Sequence, residues 1–175
     1  AEFAEGGPDP IPVQLERAKS RVRDKNKNGK YMAYFQAFTN TYAPYERLKK
    51  LFYAAIEPDY IVGLNIATRP DCLPPEVLDL LAALNRKKPV WVELGLQTIH
   101  EASAKFIRRG YTLDVFEKAV YDLKMIGVCV IVHTILYLPG ETEQMMLETI
   151  SYLNSLPIHG IKLQLLHILY PYMKI

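Results

Sequence analysis

The chain has 175 residues, 50% of them hydrophobic, enough to bury one substantial core and no reason to expect two. Lys and Arg total 21 against 19 for Asp and Glu, so a net charge of +2 excludes any argument for a nucleic-acid partner from charge alone. The longest strongly apolar stretch, Val128 to Leu138, is broken by His133 and closed by Pro139-Gly140, well short of the roughly 20 residues of a membrane span.

The start, Ala1 to Pro12, is acidic and proline-rich with no apolar segment behind a basic one, so no secretory signal and a cytoplasmic setting are expected. An irregular segment with one charged helix, Gln14 to Lys27, is expected over residues 1–30, ending at Lys27-Asn28-Gly29. From residue 31 to 175 the pattern becomes regular: short apolar or β-branched runs alternate with longer segments of helical period.

Strands are predicted at Tyr31 to Phe38, Tyr60 to Ile66, Val90 to Gly95, Val128 to Tyr137 and Gly160 to His167. Between them lie predicted helices at Tyr45 to Ile56, Pro75 to Asn85, Ala102 to Arg108 with Leu113 to Ile126, and Glu141 to Leu156. Pro74 and Pro75 suit a first helical turn, Thr112 suits a cap, and Gly127 suits a helix stop. Strand followed by helix, repeated, predicts an α/β fold with a parallel sheet and right-handed crossovers.

A doubly wound open sheet and a TIM-type barrel both satisfy this period. Every strand ends in polar or glycine-rich chemistry, and no strand runs into GxGxxG or a phosphate loop, which favours the barrel. After the first strand, the hydroxyl and amide groups of Thr39, Asn40 and Thr41 could bind a ligand's amino group or hydroxyls, or Thr39 and Asn40 could cap the next helix.

In Val92-Glu93-Leu94-Gly95-Leu96-Gln97, alternation places Glu93, Gly95 and Gln97 on one face and Val92, Leu94 and Leu96 on the other. A buried carboxylate there needs a cation such as Arg69 or Lys162, or a ligand. His133 reads as a satisfied residue within a strand, and Gln164 and His167 read in the same way. Lys162 is the one lysine placed for an aldolase-type barrel, and it has no matching set. Cys72 and Cys129 have no second cysteine beside them; they read as a loop thiol and a small buried strand residue, and no disulfide is expected.

Four ordered blocks carry a resemblance: Tyr34-Phe35-Gln36-Ala37-Phe38-Thr39-Asn40-Thr41-Tyr42-Ala43-Pro44, Ala67-Thr68-Arg69-Pro70-Asp71, Glu93-Leu94-Gly95-Leu96-Gln97-Thr98 and Leu138-Pro139-Gly140-Glu141-Thr142. Over about residues 14 to 167 the chain resembles radical S-adenosylmethionine (SAM) enzymes, closest to a bacterial group related to the Elongator catalytic subunit and to oxygen-independent coproporphyrinogen oxidase.

The resemblance implies a partial (β/α)6 barrel holding SAM across its strand ends. A four-iron four-sulfur cluster would drive reductive cleavage to a 5′-deoxyadenosyl radical. It also implies Thr39, Asn40 and Thr41 near the methionine amino group, Gln97 as a polar contact and Arg109 at the SAM carboxylate. Leu138, Pro139 and Gly140 would lie near adenine, and Arg69 and Glu93 would line the cavity.

By the same analogy a flavodoxin or ferredoxin would supply electrons and tRNA is a candidate substrate. The family's Cys-x3-Cys-x2-Cys loop would precede residue 14, where this sequence has no cysteine. The first barrel strand is also missing from the pattern, so the chain reads as part of a longer protein. The alternative is a cluster-free barrel that binds a ligand or partner.

Overall fold

The computed structural model describes residues 9–22 and 29–166. The elements run α1 (Ile11–Val22), β1 (Tyr31–Phe35), α2 (Tyr45–Ile56), β2 (Ile61–Thr68), a 3-10 turn (Pro70–Cys72), α3 (Pro75–Asn85), β3 (Val90–Gln97), α4 (Glu101–Phe106), α5 (Leu113–Met125), β4 (Cys129–Leu136), α6 (Glu143–Asn154) and β5 (Gly160–Leu165). His167, the expected end of the last strand, and residues 23–28, which include the end of the first expected helix, lie outside the described residues.

All five strands are parallel and adjacent in chain order, β1-β2-β3-β4-β5. A doubly wound sheet reverses its order at a switch point; this one never does, so every crossover steps the same way around the sheet. The helices therefore cover a single face. Against it pack Leu48 and Phe52 of α2, Leu81 and Leu84 of α3, and Phe116 and Leu123 of α5, all at most 1% exposed. Each such side chain contributes about 1.5–3 kcal/mol by leaving water.

The sheet is curled into a half-barrel. In a flat five-stranded sheet the backbones of the edge strands would stand about 19 Å apart. Here Lys162 of β5 donates from Nζ to the Tyr34 hydroxyl of β1 at 2.9 Å, joining the two edges across the concave side. This arrangement matches a partial TIM-type barrel.

Helix ends follow the local chemistry. Gly127 takes φ +74° after α5, and its N–H and that of Val128 close onto Lys124 and Leu123 carbonyls at 3.0 and 3.1 Å, a turn that needs a left-handed residue. Pro75 opens α3 behind an extended Pro74. Thr112 precedes α5 but its side chain does not cap it, whereas Thr142 Oγ1 accepts from the Met145 N–H at the start of α6. Among the described residues no helix is long and apolar enough to cross a membrane.

Candidate functional site

Side chains of β-strands alternate, so one residue from each strand can meet at one level of the concave face. Here five do: Tyr34 of β1, Asn65 of β2, Glu93 of β3, His133 of β4 and Lys162 of β5. Glu93, 6% exposed, is the centre. Its Oε2 accepts from the Tyr34 hydroxyl at 2.6 Å, from His133 Nε2 at 2.5 Å and from Lys162 Nζ at 3.1 Å. Its Oε1 accepts from Asn65 Nδ2 at 2.5 Å.

This arrangement fixes charge states. Burial pushes the Glu93 carboxyl up, but the hydrogen bonds from Tyr34, Asn65, Lys162 and His133 outweigh it and hold the group below the ordinary glutamate range. Burial likewise works against the Lys162 ammonium, and the bonds to Tyr34 and Glu93 reverse that and raise it. His133 is lowered by burial, against the pull of Glu93. Tyr34 is raised, by burial first and by Glu93 next. The carboxylate and ammonium are ionised at neutral pH and the imidazole is neutral, with its proton on the nitrogen that faces the carboxylate.

The expected pairing of Glu93 is therefore met by Lys162. Arg69 points elsewhere: its guanidinium bonds Asp71 at 2.6 and 2.9 Å and stacks on the Tyr111 ring, 5.2 Å from its centroid. Arg109 stacks on the same ring at 5.3 Å. Tyr111, its hydroxyl pushed up to about 12 by burial, donates to the Gly95 carbonyl.

The strand ends form a tied rim. Asn40 gives its Nδ2 to the carbonyls of Phe35 and Ala67, both at 2.9 Å, and of Phe38 at 3.3 Å, joining the ends of β1 and β2. Thr41 Oγ1 meets Thr68 Oγ1 at 2.6 Å and donates to the Cys72 carbonyl at 2.5 Å. Neither residue caps α2, whose N-cap is Pro44; the Thr39 carbonyl accepts from the Tyr42 N–H at 3.1 Å. Arg109, with a side chain 2% exposed, donates to the Thr98 carbonyl at 2.6 Å and the Tyr111 carbonyl at 3.0 Å.

Thr98 Oγ1 in turn donates to Glu141 Oε1 at 2.5 Å, which ties the turn Leu138-Pro139-Gly140-Glu141 after β4 to the end of β3. Gly140 takes φ +87° there, and the Glu141 N–H reaches the Leu138 carbonyl at 2.9 Å. Leu138 is buried beneath.

Gln97 departs from simple alternation. The β3–β4 register slips between Gly95 and Gln97, with Gly95 opposite His133 and Gln97 opposite Thr134, so Leu96 is the extra residue of a bulge. Gln97 takes φ +70°, and its amide folds back over Gly95, where a Cβ would stand 2.8 Å from Gln97 Nε2. Its Oε1 is buried with no partner.

The residues expected at the site thus fall into two groups. Glu93 sits in the concave cluster with Tyr34 and Asn65, which sequence reasoning did not single out. The others occupy the rim. Alternation within each strand was the signal available for them, since Tyr34 is flanked by the core-facing residues Ala33 and Phe35 and Asn65 by Leu64 and Ile66.

The model of the "Radical SAM superfamily" matches residues 2–153. The chain belongs to the radical SAM superfamily. It is 46% identical over 168 residues to the Bacillus subtilis uncharacterized protein YtqA, covering 96% of this chain and 52% of that one. Over 106 residues it is 30% identical to a probable threonylcarbamoyladenosine tRNA methylthiotransferase of Methanocaldococcus jannaschii, covering 58% of this chain and 24% of that one.

Among solved structures, the archaeal Methanocaldococcus infernus Elp3 with an N-terminal deletion superposes with a TM-score of 0.76 at 19% identity, covering 92% of this chain and 43% of that one. The likeness shows the fold. This radical SAM chain spans about half the length of the curated relatives it matches most extensively.

Iron–sulfur clusters are held by cysteine thiolates, and the loop that the resemblance implies would supply three. This radical SAM chain has two cysteines, and they stand at opposite ends of the barrel: Cys72 in the turn beyond the end of β2, Cys129 as the first residue of β4. Among the described residues no three His, Cys, Asp or Glu side chains gather closely enough to hold a metal ion. These residues do not fit the cluster. For SAM itself the strand-end Gln97, with an acceptor left unpartnered, fits a ligand bearing an ammonium or hydroxyl.

Proposed function

We propose that this chain is the barrel core of a radical SAM enzyme. The parent protein cleaves SAM reductively, and the 5′-deoxyadenosyl radical so formed takes a hydrogen atom from a substrate. The observation that carries this reading is the match of residues 2–153 to the superfamily on a half-barrel whose concave face is a hydrogen-bonded polar cluster rather than a packed interior. The four-iron four-sulfur cluster is assigned to the parent protein, and no step on this chain runs through it.

Within the site, Gln97, Arg109 and the Leu138-Pro139-Gly140 turn are proposed to hold SAM across the strand ends, with Thr39, Asn40, Thr41 and Arg69 shaping the neighbouring rim and Glu93 lining the cavity. The Glu93 cluster keeps its charges fixed before ligand arrives, which spares the site reorganisation during reaction. A tRNA substrate is supported by a relative whose name says it modifies tRNA. A flavodoxin or ferredoxin as reductant and a cytoplasmic setting complete the proposal.

A cluster-free ligand-binding barrel is the second reading, favoured by the placement of Cys72 and Cys129 at opposite barrel ends. The full-length parent protein, reconstituted anaerobically with iron and sulfide, separates the two. The broad visible absorption of a thiolate-bound iron–sulfur centre and reduced-state conversion of SAM to 5′-deoxyadenosine support the enzyme. Their absence leaves the binding barrel.

A further inference from the structure

His133 is more than a strut of the Glu93 cluster. Its Nε2 faces Glu93 Oε2 at 2.5 Å, and an ionised carboxylate can only accept there, so the ring proton sits on Nε2. Nδ1 then carries a lone pair. Among the described residues nothing bonds it, and it is not a sealed atom. The side chain is 15% exposed on the open concave side.

Along the same face, the next residues towards the strand ends are Ile135 of β4 and Gln164 of β5, which border, together with Leu163, Leu165 and Leu166 at the β5 edge, an open pocket of about 450 Å³. A histidine whose one nitrogen is held by a carboxylate while the other faces open space has the arrangement that makes imidazole a base.

Resting on the reading of the concave face as the ligand site, we infer that His133 is its proton acceptor, taking a proton at Nδ1 from a weakly acidic N–H or O–H of the bound ligand. The Nδ1–H bond forms, the ligand's N–H or O–H bond breaks, and the bonding pair stays on the ligand. The imidazolium produced faces Glu93, which stabilises it; the proton leaves through the exposed edge of the ring. The charged and titratable groups around the ring are the Tyr34 hydroxyl from β1, the Glu93 carboxylate from β3 and the Lys162 ammonium from β5, while β2 contributes only the neutral Asn65.

Those neighbours set the base strength. Burial and Lys162 keep the ring neutral, Glu93 pulls the other way, and the balance lies below an ordinary histidine. The base is thus unprotonated at neutral pH and ready to accept. The ligand class follows: a group with an acidic N–H or O–H, such as an imide, phenol or ammonium, rather than an alkyl centre alone.

The test uses the full-length protein with nitrogen-15-labelled histidine, followed by magnetic resonance from acid to neutral pH, with H133N to assign the signal. The inference requires an unprotonated Nδ1 and a protonated Nε2 at neutral pH. Its midpoint should lie below that of free histidine, falling further in E93Q and rising in K162M. Diethyl pyrocarbonate, which acylates unprotonated imidazole, should label residue 133 in the wild type, with complete loss of that adduct in H133N.

A protonated Nδ1, a midpoint indifferent to both neighbours, or no adduct at residue 133 would overturn it. Because none of these readouts needs SAM cleavage, a protein that forms no 5′-deoxyadenosine sinks the radical reading without touching this one.

Discussion

Tyr34 and Glu93 stand two strands apart, yet the hydroxyl of one donates to the carboxylate of the other at 2.6 Å over the top of β2. The contact is open to that pair because the sheet curls and because Asn65, the β2 residue at the same level, leans onto the other carboxylate oxygen. Replacing Tyr34 with Phe removes a donor to Glu93 and an acceptor for Lys162 Nζ. A loss of about 1.5–3 kcal/mol is expected for a hydrogen bond to a charged group, read by urea denaturation at neutral pH.

Stability should depend on pH in three windows. The Glu93 carboxyl is lower folded than unfolded, so its contribution is present above the unfolded value, about 4.3, and disappears as pH falls through the folded one. Lys162 is raised, so its contribution is present below about 10.4 and disappears as pH rises through the higher folded value. His133, lowered on folding, begins to cost stability as pH falls below about 6.5. Thermal melts should therefore decline from below pH 6.5, decline further near pH 4 and fall again in strong alkali, with the step near pH 4 lost in E93Q.

Adding one methyl at Gly95 tests the SAM proposal without touching the Glu93 cluster. The new Cβ would meet Gln97 Nε2 at 2.8 Å and the Tyr111 hydroxyl at 3.3 Å. The Gln97 amide is the far end of a flexible side chain and can move, so G95A should fold with a loss of about 1 kcal/mol. Calorimetric titration of the full-length protein should show weaker SAM binding; unchanged affinity would remove Gln97 from the site.

Arg109 carries a structural duty whatever else it does. Its fork holds the Thr98 and Tyr111 carbonyls from a side chain 2% exposed, and lysine cannot reproduce two directed bonds. R109K should lower stability by about 2–3 kcal/mol. If Arg109 also meets the SAM carboxylate, SAM binding in the folded variant falls as well.

The 175-residue chain expressed alone should self-associate. The two sheet edges, β1 and β5, have no strand beyond them among the described residues, and Leu163 and Leu165 are 56% and 53% exposed. Light scattering that reports a stable monomer would contradict this.

Period and punctuation made the fold legible. Tyr45–Ile56 and Pro75–Asn85 have the boundaries expected, since proline at the start and a change of period at the end mark them locally. β1 stops at Phe35 rather than Phe38 because Asn40 captures the carbonyls of Phe35 and Phe38, a contact that alternation cannot foresee. At the site, alternation revealed that Glu93 faces inward. It could not choose between Arg69 and Lys162, because that choice depends on how far the sheet curls. Arg69 has its own carboxylate two residues away in Asp71, a local partner that wins at little entropic cost.

The bond from Lys162 to Tyr34 runs between strands that share no ladder. The width of the half-barrel's mouth is thereby held by side chains, like a drawstring, and the knot of that string is one ionised carboxylate. Whatever neutralises Glu93, whether acid, substitution or a ligand that competes for its partners, loosens both edges at once. The same residue that organises the polar face therefore also governs how wide that face stands open.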